Sequence, residues 1–387
     1  ADGGNLWAMH WLGELYLSGA KGLPKDPAQA ARWFRPAAEA GDAAASFRMA
    51  GLTKDAAEAR NWLERSARGG FEAAGKALKQ RGLPVPAATP VPAIAVPQGP
   101  PPTCKLPDAL KGAPFTDDLD NVDNERTVAL MAGGMAGDKE AAFCFSRRAA
   151  LRGSGYAAID LAETYATNRA RAPGARPRSS FGDGKVFKLP KDDGEAVRWY
   201  ALAARSQDQY IPAGAMEQIG HFYASGIAVM RNDVEAVRWF RQSVALDSFG
   251  AWQSLAYMYH GGFGVVRDDR EAMKLLLGNI GMASDRAIYG AMIANGMPPL
   301  DERWTAEAIG LAAEGGYVEA MILLGKRFAR GDGFKKDMPA ARHCFQLAAK
   351  LGEPRAAAEL AKLPKAAPGE RSPPEDFMGT PVPECRA

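Results

Sequence analysis

Histidine and cysteine are both scarce in this sequence, with four of each among 387 residues. Four scattered histidines give little material for a metal cage or a nucleophile–base relay. The cysteines are Cys104, Cys144, Cys344 and Cys385, with no Cys-x-x-Cys pair, which argues against a zinc site. Charge of one sign is lacking too. The 48 basic and 45 acidic residues leave a net +3, without the basic stripe that nucleic-acid binding requires. No apolar run approaches the roughly 20 residues needed for a membrane-spanning helix. These shortages point away from metal chemistry, nucleic acid and membrane-spanning helices.

What is present is repetition. The Ala-Ala pairs Ala37-Ala38, Ala203-Ala204, Ala312-Ala313 and Ala348-Ala349 align. A large residue usually stands four places before each pair, and Gly often eight places after that residue. From Trp199 the series runs Trp239, Leu275, Ala308 and Cys344, at spacings of 40, 36, 33 and 36 residues. Ala308 is a weak member, with Trp304 one turn earlier. Upstream, Trp33, Trp62 and Phe145 hold the same place, at spacings of 29 and 83 residues, with 54 more from Phe145 to Trp199; the two large spacings contain insertions. A period in this range is the mark of a stacked-repeat architecture.

Each full unit reads as helix, loop, helix. Ala8 to Tyr16, Ala215 to Tyr223, Trp252 to Tyr259 and Ala320 to Phe328 show apolar residues at three- and four-residue steps. Gly13, Gly220, Ala256 and Gly325 share one register, where a small residue lets a neighbouring helix come close. Glycine inside a helix costs about 1 kcal/mol against alanine, so packing must compensate. The first helix is predicted to end at Gly19, Gly226, Gly261 or Gly331. The second opens at Asp26, Asp192, Asp233, Asp268 or Asp337, each placed to cap free backbone N–H groups. Arg32-Trp33-Phe34, Arg198-Trp199-Tyr200 and Arg238-Trp239-Phe240 then anchor the second helix in a shared core.

These residues resemble the SEL-one-like repeat, a relative of the tetratricopeptide repeat. Ala8–Gly41, Ala215–Ala245, Trp252–Ala283 and Ala320–Gly352 carry the pattern, and the Gly264-Val265 loop matches it closely. Residues 285–316 depart from it, and residues 42–51 look truncated. The resemblance implies an all-α fold, a right-handed α-solenoid of antiparallel helix pairs. It also implies a non-catalytic adaptor that binds a protein or peptide along its concave face. A bacterial envelope scaffold that contacts peptidoglycan or another polysaccharide is the alternative.

The expected organisation is an N-terminal repeat array over 1–82, a proline-rich linker over 83–116, a main array over 117–363 and a proline-rich tail over 364–387. No helix passes Val85-Pro86 or Pro100-Pro101-Pro102, so the linker is extended, or a strap along the solenoid surface. Residues 169–190 are an insertion between two helices of one repeat. Ala1-Asp2-Gly3-Gly4 aligns with Ala313-Glu314-Gly315-Gly316, so further repeats are expected upstream.

Cys104 and Cys385 lie in proline-rich segments, and Cys144 and Cys344 at the start of equivalent second helices, with separations of 40 and 41 residues. Disulfides Cys104–Cys144 and Cys344–Cys385 would each pin a strap to a repeat and would fit an oxidising, exported setting such as a periplasm. The other reading is four free thiols, two of them in the core, and a cytoplasmic chain. Ser18-Gly19-Ala20-Lys21 matches Ser-x-x-Lys, but the Ser-Asp-Asn and Lys-Thr-Gly partners of penicillin-binding enzymes are absent. Gly182-Asp183-Gly184-Lys185 lacks phosphate-loop spacing. Catalytic, cofactor and metal residues are therefore expected to be none. Trp304, outside the core register, is the interface candidate.

Overall fold

Short polar residues followed by alanine-rich runs set the helix starts. In the computed structural model, which describes residues 6–19, 23–134, 137–166, 191–208, 210–279, 282–333 and 335–366, the side chain of Asp26 accepts from the Ala28 and Gln29 amides at 3.0 Å. Asp192 and Asp337 cap their helices in the same way. Asp42, Asp55 and Asp138 do so at three further starts. Asp233 differs from expectation. Asn232 takes the cap, accepting from the Glu235 amide at 3.1 Å, and Asp233 turns to Arg231 instead. Gly19, Gly226 and Gly331 end first helices with φ of 77°, 71° and 86°, and Gly262 rather than Gly261 does so after the fourth, at 69°.

The chain divides into two units, Ala1–Asp268 and Asp269–Ala387. The first begins with α1 (Leu6–Ser18) paired with α2 (Pro27–Glu39), α3 (Ala43–Leu52) paired with α4 (Ala56–Arg68), and α5 (Glu72–Gln80). A long segment with two short 3-10 turns follows. Then come α6 (Val122–Gly134) with α7 (Lys139–Leu151), α8 (Gly155–Tyr165) with α9 (Asp193–Ala203), α10 (Ile211–Ser225) with α11 (Asp233–Val244), and α12 (Phe249–Gly261). The second unit holds α13 (Asp269–Gly278), the pairs α14 (Ala283–Ala294) with α15 (Glu302–Glu314) and α16 (Val318–Arg330) with α17 (Met338–Lys350), and α18 (Pro354–Ala361). The described residues contain no β-strand.

One contact recurs in three helix pairs. A Cβ added to Gly13 would lie 2.6 Å from the Phe34 ring, one on Gly220 2.5 Å from Phe240, and one on Gly325 2.8 Å from Phe345. All three rings are fully buried. The first helix thus offers bare backbone to a ring on the second. In two of the three Trp-aromatic pairs the second aromatic alone enters the core: Phe34 and Phe240 are buried, whereas Trp33 and Trp239 are half-buried; in the third, Trp199 and Tyr200 are both buried. The departing stretch 285–316 still makes a tight pair by reversing sizes. The second helix carries Ala308, and Gly290 of α14 comes so close to it that an added Cβ would meet the Ala308 carbonyl.

The proline-rich segment of the first unit is pinned along its length. Val85 lies against Gly75 of α5, and the Thr89 amide donates to the Arg68 carbonyl of α4 at 2.7 Å. The Arg198 Nε of α9 donates to the Ala95 carbonyl at 3.2 Å. A disulfide joins Cys104 to Cys144 of α7, with Cα atoms 5.7 Å apart. The insertion at 169–190 lies outside the described residues.

Candidate interaction groove

The first helices α1, α3 and α5 of the N-terminal repeats line a depression of about 220 Å³. Its apolar surface comes from Leu17, Phe47, Leu52 and Ala77, with Leu63 of α4 beneath. Phe47 is held by an edge-tilted contact with Phe71, ring centroids 5.2 Å apart. Gly51 of α3 also lines it, and a Cβ there would meet nothing within 4 Å. Unlike Gly13, Gly51 faces open space. Arg48 and Arg81 are the only charged residues of the lining, and no carboxylate belongs to it. The depression is smaller than the roughly 300–1,000 Å³ typical of pockets for drug-sized ligands, so its size suits a side chain or two.

Arg48 is held in place from behind. Its Nε and Nη2 donate to both carboxylate oxygens of Glu14, at 2.5 and 3.1 Å, and Glu14 is 2% exposed. Glu14 belongs to a buried charged cluster at one side of α1. His10 is fully buried, with Nδ1 3.0 Å from Asp42 and Nε2 3.8 Å from Glu14. Its ring packs between Phe34 and Phe263, at 5.4 and 5.1 Å. Burial pushes the Asp42 carboxyl up. The charge and hydrogen bond of His10, the Ala45 amide and the charge of Arg231 outweigh this and hold it below its ordinary value. Burial raises Asp233, and Asp42 adds to that, against the pull of Arg231 and His10. Nearby, Trp11 meets His260 at 5.1 Å, Arg267 lies over Trp11, and Arg267 donates to Ser18 at 3.2 Å. So α1 and the α2–α3 turn pack on the loops that follow α10 and α12.

Another cluster has the residue types of a hydrolase. Ser254 Oγ is 3.4 Å from His221 Nε2, and Glu217 is 3.8 Å from the same atom. A relay needs the carboxylate on the ring's other nitrogen, so this is not one. Glu217 instead accepts from Ser248 at 2.8 Å, and Ser254 donates to the Gly250 carbonyl at 3.1 Å. The Ser248–Glu217 bond ties the start of α12 to α10, and the Ser254 bond stays within α12. The described residues contain no group of three or more His, Cys, Asp or Glu placed to hold a metal.

The remaining expected residues scatter. Cys344 of α17 is fully buried and forms no disulfide among the described residues, and burial pushes its thiol up to about 12. Cys385 lies outside the described residues. Trp304 sits half-buried on α15, in the other unit from the groove. Sequence reasoning did not find the groove, because it is assembled from residues on four helices. The one local signal was Gly51, a glycine outside the Gly13 register.

Paired antiparallel helices with glycine against a buried ring, repeated along the chain, define an α-solenoid of helix-pair repeats. The chain carries Sel1 repeats: the Sel1 repeat family matches residues 8–42, 47–71, 180–208, 213–248, 254–277 and 318–353. Two solved structures are similar. One is a protective antigen present in uropathogenic Escherichia coli strains displaying an SLR fold, 22% identical, with a TM-score of 0.47. The similarity covers 92% of this chain and 64% of that one, so the chain spans less than two thirds of its length. The other is a Sel1 repeat protein from Oxalobacter formigenes, 22% identical, with a TM-score of 0.43, covering 93% of this chain and 87% of that one. No curated protein sequence matches the chain. Among the described residues, no helix is long and apolar enough to cross a membrane.

Proposed function

We propose that this chain is a non-catalytic scaffold that binds a protein partner by a segment laid across the first-helix face of its N-terminal repeats. The observation that carries the reading is the groove at Gly51: an apolar floor, open to solvent, on the first helices α1, α3 and α5. Interfaces gain most of their energy from a few buried anchors, and a side-chain-sized depression suits one. Sel1 repeats commonly serve as protein-interaction scaffolds, which agrees. We read residues 1–82 as the recognition array, 83–116 as the strap that ties it to the repeats over 117–363, and 364–387 as a tail. The Cys104–Cys144 disulfide supports an exported, periplasmic setting, since such bonds persist in oxidising compartments.

The test uses the tagged full chain in its native cells. The wild type is expected to retain a partner in stoichiometric amount. Gly51→Leu, which fills the groove without touching the core, is expected to lose it while keeping the wild-type circular dichroism. Equal retention by both proteins would refute the groove as the binding face.

A further inference from the structure

We infer that the groove's occupant is a peptide segment with a large apolar side chain next to a carboxylate. This rests on the scaffold reading and adds the partner's chemistry. The apolar half follows from the floor of Leu17, Phe47, Leu63 and Ala77 and from a volume that excludes a cofactor-sized ligand. The acidic half follows from charge. Both charged lining residues are arginines, but they are not equivalent. Arg48 is committed to Glu14 by two hydrogen bonds. Arg81, just past the end of α5, is exposed and makes no ion pair among the described residues. It is the guanidinium left over for a ligand, and a carboxylate is the group its planar fork matches.

The wider field agrees. Residues 1–82 hold 12 basic and 9 acidic residues, and the rest of the chain holds 36 of each, so the whole net charge of +3 sits on this array. An acidic segment is drawn to it, whereas a second copy of the same array is repelled. The chain's own proline-rich strap is already engaged, with Val85 against Gly75 and Thr89 on the Arg68 carbonyl.

A phage-displayed library of random 12-residue peptides, panned on the full-length chain, tests this. The selected peptides are expected to carry Leu, Phe, Met or Ile within two positions of Asp or Glu. Their affinity, read by fluorescence anisotropy of a labelled synthetic peptide, is expected to fall at least tenfold in Gly51→Leu. It should fall about fivefold in Arg81→Glu, the size of an exposed ion pair. Replacing the peptide's acid by lysine should restore binding to Arg81→Glu. Circular dichroism of both variants should match the wild type. Peptides that lose binding in Gly51→Leu but show no acidic preference and ignore Arg81→Glu would overturn this inference and leave the scaffold reading standing. No enrichment, or binding indifferent to Gly51→Leu, would overturn both.

Discussion

Substituting alanine for glycine should have opposite signs at two helical positions of this chain. At Gly220 an added Cβ falls 2.5, 2.7 and 3.0 Å from Cε1, Cδ1 and Cζ of Phe240. Those distances are well inside van der Waals contact. The ring has little room to retreat: Phe240 is 1% exposed, and His221 packs on it with ring centroids 5.0 Å apart. Alanine gains about 1 kcal/mol of helix propensity. Overpacking a filled core costs about 1–3 kcal/mol. Gly220→Ala is therefore expected to lose up to about 2 kcal/mol, with about 1 kcal/mol as the central value. At Gly51 nothing opposes the helical gain, and Gly51→Ala is expected to gain about 0.5–1 kcal/mol, the lower end because the residue lies in the last turn of α3. Urea denaturation followed by circular dichroism reads both as shifts of the midpoint. Phe240→Leu makes room beside Gly220, so the double variant should be more stable than the sum of the two singles predicts. If Gly220→Ala proves as stable as Gly51→Ala, the close helix approach is not what the glycine register provides, and the reasoning fails.

Three other outcomes follow from the geometry. Asp285, 1% exposed, has its carboxyl raised from 3.8 to about 6 by burial, against hydrogen bonds from Asn279 and Ser284. The folded chain then holds this proton more tightly than the unfolded one, so the group's cost to stability appears as pH rises from about 4 to 6 and is full above that. Asp285→Asn is expected to be more stable than wild type at pH 7.5, by up to about 3 kcal/mol, with the gain vanishing near pH 4; a pH-independent difference in urea midpoints would contradict this. Arg48→Met leaves the buried Glu14 carboxylate without its bidentate partner and should cost about 3 kcal/mol; Glu14→Gln in the same chain should recover part of the loss, and no recovery would count against the ion pair. The Cys104–Cys144 bond closes a loop with a sequence separation of 40, which chain entropy values at about 4 kcal/mol; unfolding with and without dithiothreitol should differ by 2–4 kcal/mol, and coincident curves would mean the bond constrains nothing.

The helix-pair architecture was readable because it is repeated. Each glycine in the Gly13 register is weak evidence alone, but three facing a buried ring are not coincidence. Capping was readable at Asp26, Asp192 and Asp337 for a local reason: the carboxylate reaches amides two or three residues on. At Asp233 the same rule missed by one residue. Asn232 caps equally well, and Arg231 is close enough to claim the aspartate. The weak member Ala308 had a hidden meaning, since the small side chain sits under Gly290 on the facing helix. Only the pairing of α14 with α15 reveals that exchange of sizes. The charged cluster was half visible: His10 and Glu14 are one turn apart, yet nothing local says that Asp42, Arg48 and Arg231 converge on them. The groove was invisible for the same reason, as its floor joins residues that only the stacking of α1, α3 and α5 brings together.

Amide hydrogen exchange of the full chain, with and without its co-purified partner or a selected peptide, tests the central claim most directly. Binding at the groove predicts slowed exchange confined to the C-terminal turns of α3 and α5, residues 47–52 and 77–81. Protection confined to the second helices α2 and α4, or absent from both α3 and α5, would contradict it.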